Sequence, residues 1–151
     1  MRSRLSERTN DSIIQTLAEF RYELRRFLHF SEHSAINAGL HPKQHQLLLQ
    51  IAGAPGKAEV TVAYASERLG IKHNSAVELV DRSQREGLLK RAADPTDKRR
   101  ARLRITRKGK LILGRLAGDH VRELSEMAPK LAIALEHIKL HAHNGVRAEA
   151  R

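Results

Sequence analysis

The chain has 151 residues, of which 40% are apolar and 30% charged, with a formal net charge of +11 and no cysteine. That length suits one domain with its own core, or one protomer of an assembly that shares a core. Lack of thiols excludes disulfides, thiolate nucleophiles and Cys-based zinc sites, and agrees with a reducing cytoplasm. The apolar runs span a few residues, against roughly 18 for a membrane crossing. No apolar run of signal length follows the basic start MRSRLSERTN, so a secretory signal is not expected.

The placement of the charge narrows the class of partner. Residues 1–81 carry 10 basic and 9 acidic side chains, residues 82–110 carry 12 and 3, and residues 111–151 carry 6 and 5. A like-charged cluster of this kind repels itself unless a polyanion neutralises it. Nucleic acid is therefore favoured as the partner over an anionic membrane or an ordinary basic surface. Binders of single strands stack bases on aromatic rings. Here the aromatics are Phe20, Tyr22, Phe27, Phe30 and Tyr64, with none from Ala65 onward. The basic segment has nothing to stack on, which points to duplex DNA held through phosphates and groove edges.

In chain order, Ile13, Leu17, Phe20, Leu24, Phe27 and Leu28 recur at spacings of three and four and predict a long amphipathic helix over 10–36. Gly39 ends it, and Pro42 suits the first turn of a second helix carrying Leu47, Leu48 and Ile51. AGAPGKAE reads as a loop. Val62, Ala65 and Leu69 mark a short helix closed by Gly70. A second helix of about 74–86 follows, with Ala76, Leu79, Val80 and Ser83 inward. Two short helices around a glycine form the pattern of a helix-turn-helix, whose second helix enters the major groove.

Gly87 stops that helix, LLKRA predicts a strand, and ARLRIT alternates as its partner. Between them DPTDKRR forms a turn, and seven of the sixteen residues from Asp94 to Gly109 are Lys or Arg. A hairpin directly behind a recognition helix reaches the adjacent minor groove, where the negative potential favours an Arg. Within that basic tip, Asp97 is placed to hold a neighbouring guanidinium in a fixed pose. Lys108 to about Met127 predicts a further helix, and Pro129 is expected to start a final one with Leu131, Ile133, Leu135 and Ile138. The expected architecture is mainly α with a small β-hairpin wing. It comprises a dimerisation helix over 1–38, a winged helix-turn-helix over 39–107 and dimerisation helices over 108–151, one domain overall.

From LHPKQHQLLLQIAG through VTVAYASERLGIKHNSAVELVDRSQREGLL to DPTDKRRARLRITRKG, the chain resembles the MarR family of bacterial winged-helix transcription regulators. The resemblance covers roughly residues 39–114, and GLL, DKRR and ITRKG are its more specific parts. It implies a triangular homodimer held by the terminal helices. Such a dimer acts as a repressor on a palindromic operator and responds to a small aromatic or anionic effector. It further implies that Arg99 enters the minor groove braced by Asp97. Asn74 and Ser75 face bases and phosphates at the start of the recognition helix, and Arg82 serves the backbone. With Lys72, His73, Glu78, Arg85, Lys98 and Arg100, these residues are the expected DNA-binding set. Glu78 departs from the basic or polar residue common there. It either accepts from a cytosine amine or, the favoured reading, braces Arg82 at i+4. Ser83 stands where Leu is usual, which predicts either loose packing under the helix or a slightly different helix register.

Two other classes of function compete with that reading. His29 and His33, His41 and His45, and His137 and His141 are spaced i, i+4, which puts two imidazoles on one helical face and suits zinc. A zinc sensor using His29, His33 and His41 or His45 is one alternative, and a non-specific architectural DNA binder is the other. No Gly-rich phosphate loop, GxSxG or HExxH occurs, so neither an enzyme nor a cofactor is expected.

Overall fold

The structure is a computed structural model. It describes the backbone of residues 2–97 and 100–149 and the side chains within residues 10–97 and 100–143. Five helices and one hairpin run in the order α1 (Arg2–Asn37), α2 (Pro42–Ala52), α3 (Val62–Leu69), α4 (His73–Arg85), β1 (Leu89–Ala93), β2 (Ala101–Ile105) and α5 (Arg107–Glu149). They form two compact units: Ser31–Asp119, and Met1–Phe30 together with His120–Arg151.

The first unit, Ser31–Asp119, is a winged helix-turn-helix. Its core gathers Leu40, Leu47, Leu48, Ile51, Ala65, Leu79, Val80, Leu88, Leu89, Leu103, Leu113 and Leu116. The inward positions of α2, α4 and the hairpin thus meet in one cluster. Local signals set the boundaries of its helices. Pro42 occupies the first turn of α2, and Thr61 accepts at Oγ1 from Tyr64 N to cap α3. Gly70 and Gly87 adopt φ of 61° and 71°, the left-handed region that a side chain disfavours. Behind Gly87, Leu88 N donates to Ser83 O (2.9 Å) and Gly87 N to Gln84 O (3.0 Å), the double bond of a Schellman stop. The chain therefore leaves α4 directly into β1. The strands pair antiparallel from Leu89↔Ile105 to Ala93↔Ala101.

Thr106 joins the hairpin to α5. Its Oγ1 donates to Gly87 O at 2.6 Å and accepts from Gly109 N at 3.1 Å, so one hydroxyl caps the helix and ties it to the end of α4. A Cβ at Gly109 would strike the Leu88 carbonyl and the Ile105 side chain. Only glycine lets the first turn of α5 approach so closely.

The second unit pairs the amino-terminal part of α1 with the carboxyl-terminal part of α5. Ile13, Met127 and Ala134 are buried, and the rings of Phe27 and Phe30 meet His120 edge-on. Glu23 is buried and is held by Arg26 Nη1 and Lys130 Nζ, each at 3.1 Å. Pro129 does not start a new helix: α5 runs through it as one helix of 43 residues. The missing N–H and the ring clash cost about 3 kcal/mol. Strong helix formers on both sides, from Glu126 to Ala128 and from Lys130 to Ala132, offset that cost.

Candidate nucleic-acid interface

Helix α4 divides sharply into two faces. Ala76, Leu79, Val80 and Ser83 are buried, whereas Lys72, His73, Asn74, Ser75, Glu78, Arg82 and Arg85 are exposed. Polar groups thus project along one face from the first turn to the last. Ser83 does not loosen the packing, because it is fully buried and its Oγ donates to Leu79 O at 2.8 Å. The small side chain satisfies its own hydroxyl within the helix. Glu78 makes no ion pair with Arg82. Both side chains point to solvent, where an i, i+4 pair is worth only a few tenths of a kcal/mol.

The hairpin is tied to its surroundings at defined points. On β1, Arg91 reaches back to α4, donating from Nη2 to Asp81 (2.7 Å) and from Nη1 to Gln84 Oε1 (2.7 Å). On β2, Leu103 N donates to Val60 O at 2.7 Å. Near the tip, Arg100 Nη1 pairs with Glu59 at 2.8 Å, while its Nε lies 3.9 Å from Asp97. Lys108 Nζ donates to Glu86 O, and Gln44 Nε2 donates to the Glu86 carboxylate from α2. These bonds tie β1 to α4, and β2 and the tip to the loop before α3.

The carboxylate that organises the turn is Asp94, which the sequence reading passed over. Its Oδ1 accepts from Thr96 Oγ1 (2.7 Å), Thr96 N (2.8 Å) and Asp97 N (3.3 Å). Its Oδ2 accepts from Arg102 Nε at 2.6 Å. The Thr96 hydroxyl and N–H, then the Arg102 guanidinium, hold this carboxyl far below the usual carboxylate range. Lys98 and Arg99 lie outside the described residues, and with them the expected brace between Asp97 and Arg99. Arg102, on β2 just beyond the tip, is occupied by Asp94.

The histidines do not converge on a metal. Among the described residues no group of three His, Asp or Glu side chains is arranged to hold one. His41 uses Nδ1 to accept from Lys43 N at the start of α2, and His45 is buried against the core. His29 and His33 are exposed on α1, and His137 Nδ1 is bonded to Thr16. No described helix is long and apolar enough to cross a membrane.

Known proteins share both the sequence pattern and the architecture. Residues 38–100 match the model of the MarR family. A Thauera aromatica protein assigned to transcriptional regulation of the hcr operon is 28% identical over 121 residues, covering 77% of this chain and 71% of that protein. The structure of a MarR family protein from Bacillus stearothermophilus superposes with a TM-score of 0.69 at 19% identity, covering 91% of this chain and 97% of the other. The M. tuberculosis transcriptional regulator MosR in complex with DNA gives a TM-score of 0.56 at 17% identity, covering 83% and 94%. Residues 38–100, which hold the helix-turn-helix, the first strand of the wing and its turn, are thus similar in sequence to the MarR family, and the chain shares the fold of solved MarR family proteins.

Proposed function

We propose that the protein is a sequence-specific repressor that binds a palindromic operator in duplex DNA as a homodimer. The observation that carries this reading is the exposed polar face of α4 beside a hairpin whose strands are bonded to α4 and to the loop before α3. Such a pair presents a helix to the major groove and a basic tip to the neighbouring minor groove. Lys72, His73, Asn74, Ser75 and Glu78 form the base-reading end of the helix, with Arg82 and Arg85 on phosphates. Asp97, Lys98, Arg99 and Arg100 form the wing end of the interface.

Residues 1–38 and 108–151 are assigned to dimerisation and residues 39–107 to DNA binding. Support for a dimer comes from large apolar side chains that the single chain leaves in solvent: Ile14 is 60% exposed, Leu28 54%, Ile133 73% and Leu140 59%. A small aromatic or anionic effector belongs to the same proposal. The terminal-helix unit contains an open cavity of about 430 Å³ whose lining includes Phe20, Leu131, Ala134, Lys130 and His137, an apolar wall beside a cation.

The deciding experiment is selection of duplexes from a random-sequence library, followed by titration of the selected duplex at two salt concentrations. A palindromic consensus is expected, with affinity falling by several orders of magnitude between 50 and 200 mM salt if about 6 to 10 phosphates are neutralised per dimer. No enrichment, or a flat salt response, refutes sequence-specific binding. Genomic footprinting with and without candidate aromatic acids then reports the operator and the effector response together.

A further inference from the structure

We propose that Asp94 is the positioning residue of the wing, holding the turn in one conformation, and that Arg102 is its internal counter-ion instead of a phosphate ligand. The proposal rests on the DNA-binding reading above and adds to it an assignment within the hairpin. A two-stranded hairpin is marginal by itself, and this one must present its tip in a fixed direction to be useful in a groove.

The geometry gives Asp94 that task. Its side chain is 2% exposed, in a turn whose next three described residues, Pro95, Thr96 and Asp97, are all exposed. Its backbone N donates to Arg100 O at 3.1 Å, so it closes the ladder one step beyond Ala93↔Ala101. From that position Oδ1 gathers Thr96 N, Thr96 Oγ1 and Asp97 N, an Asx turn around Pro95, whose φ is already fixed. The other oxygen crosses to the opposite strand and takes Arg102 Nε at 2.6 Å. Arg102 stands opposite Ala92, which is too small to hold it, and lies diagonal to Asp94 within reach of its carboxylate. One buried charge therefore fixes the start of the turn and neutralises a cation that would otherwise be counted among the DNA contacts. Salt-screened surface pairs do little of this kind; a pair with a nearly enclosed carboxylate and three further bonds does much more.

The test compares the full-length wild type with Asp94→Asn, Thr96→Val, Arg102→Gln and the Asp94→Asn/Arg102→Gln double variant. The probes are the duplex selected by the wild type and a scrambled duplex of equal length. Asp94→Asn should weaken binding to the selected duplex about tenfold, with scrambled-duplex affinity within about twofold. Thr96→Val removes one bond without altering charge and should shift the ratio in the same direction by less. Arg102→Gln should leave the salt slope unchanged, whereas loss of a phosphate contact lowers it by about one. The double variant should be no worse than the worse single one, as for partners in one bond.

Amide exchange at Thr96 and Asp97, measured without DNA, should accelerate in Asp94→Asn, and helical circular dichroism checks that α4 and α5 persist. If Asp94→Asn loses that helical signal, Thr96→Val decides the matter. An intact specificity ratio in the folded variants, or a lowered salt slope for Arg102→Gln, overturns the assignment. If the wild type selects no duplex at all, the DNA reading fails and the positioning role falls with it, whatever the exchange rates show.

Discussion

The two units of this chain are finished to different degrees. In Ser31–Asp119 the large apolar side chains of α2, α4 and the hairpin meet in one cluster, and Leu47, Leu48, Val80 and Leu89 are at most 1% exposed. In the terminal-helix unit, Ile14, Leu17, Leu28, Ile133, Leu135 and Leu140 are each between 48% and 73% exposed. The difference is one of context. Short helices crossing a hairpin enclose a core by themselves, whereas long helices with apolar residues on more than one side need further surface to cover them. The winged helix-turn-helix encloses its core within a single chain, and the terminal helices leave in solvent the apolar surface assigned above to the proposed dimer.

The largest effect should come from charging that surface. Leu17→Asp with Ile133→Asp should weaken self-association by about 4 kcal/mol or more, roughly a thousandfold in Kd. Sedimentation then shows monomers at micromolar concentration, with affinity for the selected duplex lost in parallel. A variant that remains fully dimeric breaks the contrast between the two units.

Next in size is the reverse experiment in the reading head. Leu48→Ala should cost about 2 to 5 kcal/mol in unfolding free energy, because it empties a fully enclosed site. Ile133→Ala, at 73% exposure, should cost the isolated monomer well under 1 kcal/mol. Denaturant melts measure both in a monomeric background charged at Leu17 and Leu140, which leaves Ile133 intact. Equal costs would mean that Ile133 is already packed within one chain.

How far the sequence revealed these features follows the range of the interactions involved. Local, periodic signals were read correctly: Pro42 opens α2, Gly70 and Gly87 take positive φ, and the alternation in ARLRI is a strand. Features set by partners distant in sequence were not. Asp94 and Asp97 are the same residue type three positions apart, and the first has the organising role because the ladder register brings Arg102 to it. Arg91, read only as part of a basic run, is spoken for by Asp81 ten residues earlier. Pro129 has the local preference of a helix boundary, and the long helix on either side overrides it. Glu23 and Lys130 meet from helices more than a hundred residues apart, and no periodicity points to such a pair.

A smaller effect separates cations within the reading head. Arg99→Ala should cost about 1 to 3 kcal/mol on the selected duplex and relax preference for A·T pairs beneath the wing. Lys98→Ala should weaken all duplexes about equally, as loss of one phosphate neutraliser does. Asp97→Asn should resemble a milder Arg99→Ala, although simple attraction to a polyanion would reward the lost negative charge. Fluorescence anisotropy on selected and scrambled duplexes at one salt concentration discriminates these outcomes. Tighter binding by Asp97→Asn would remove any bracing role for that carboxylate.

The smallest expected effect is the response of the wing to acid, and its sign follows from Asp94. Hydrogen bonds from Thr96 and the Arg102 guanidinium favour the ionised carboxylate, so its pKa is lowered in the folded hairpin relative to the unfolded chain. The unfolded state therefore binds the proton more readily, and the stabilisation is fully present above the ordinary carboxylate range. It is lost as pH falls through that range toward the lower folded value, and it is unaffected near neutrality. Protonation would also release Arg102 from its partner, adding a free cation to the wing while loosening the turn. Amide protection at Thr96 and Asp97 should accordingly be flat from pH 7 to about 5 in the wild type and decline below about 4. In Asp94→Asn it should be low throughout, without that acid step. A wild-type decline centred near neutrality would implicate a histidine instead, and an acid step retained in Asp94→Asn would assign it to another carboxylate.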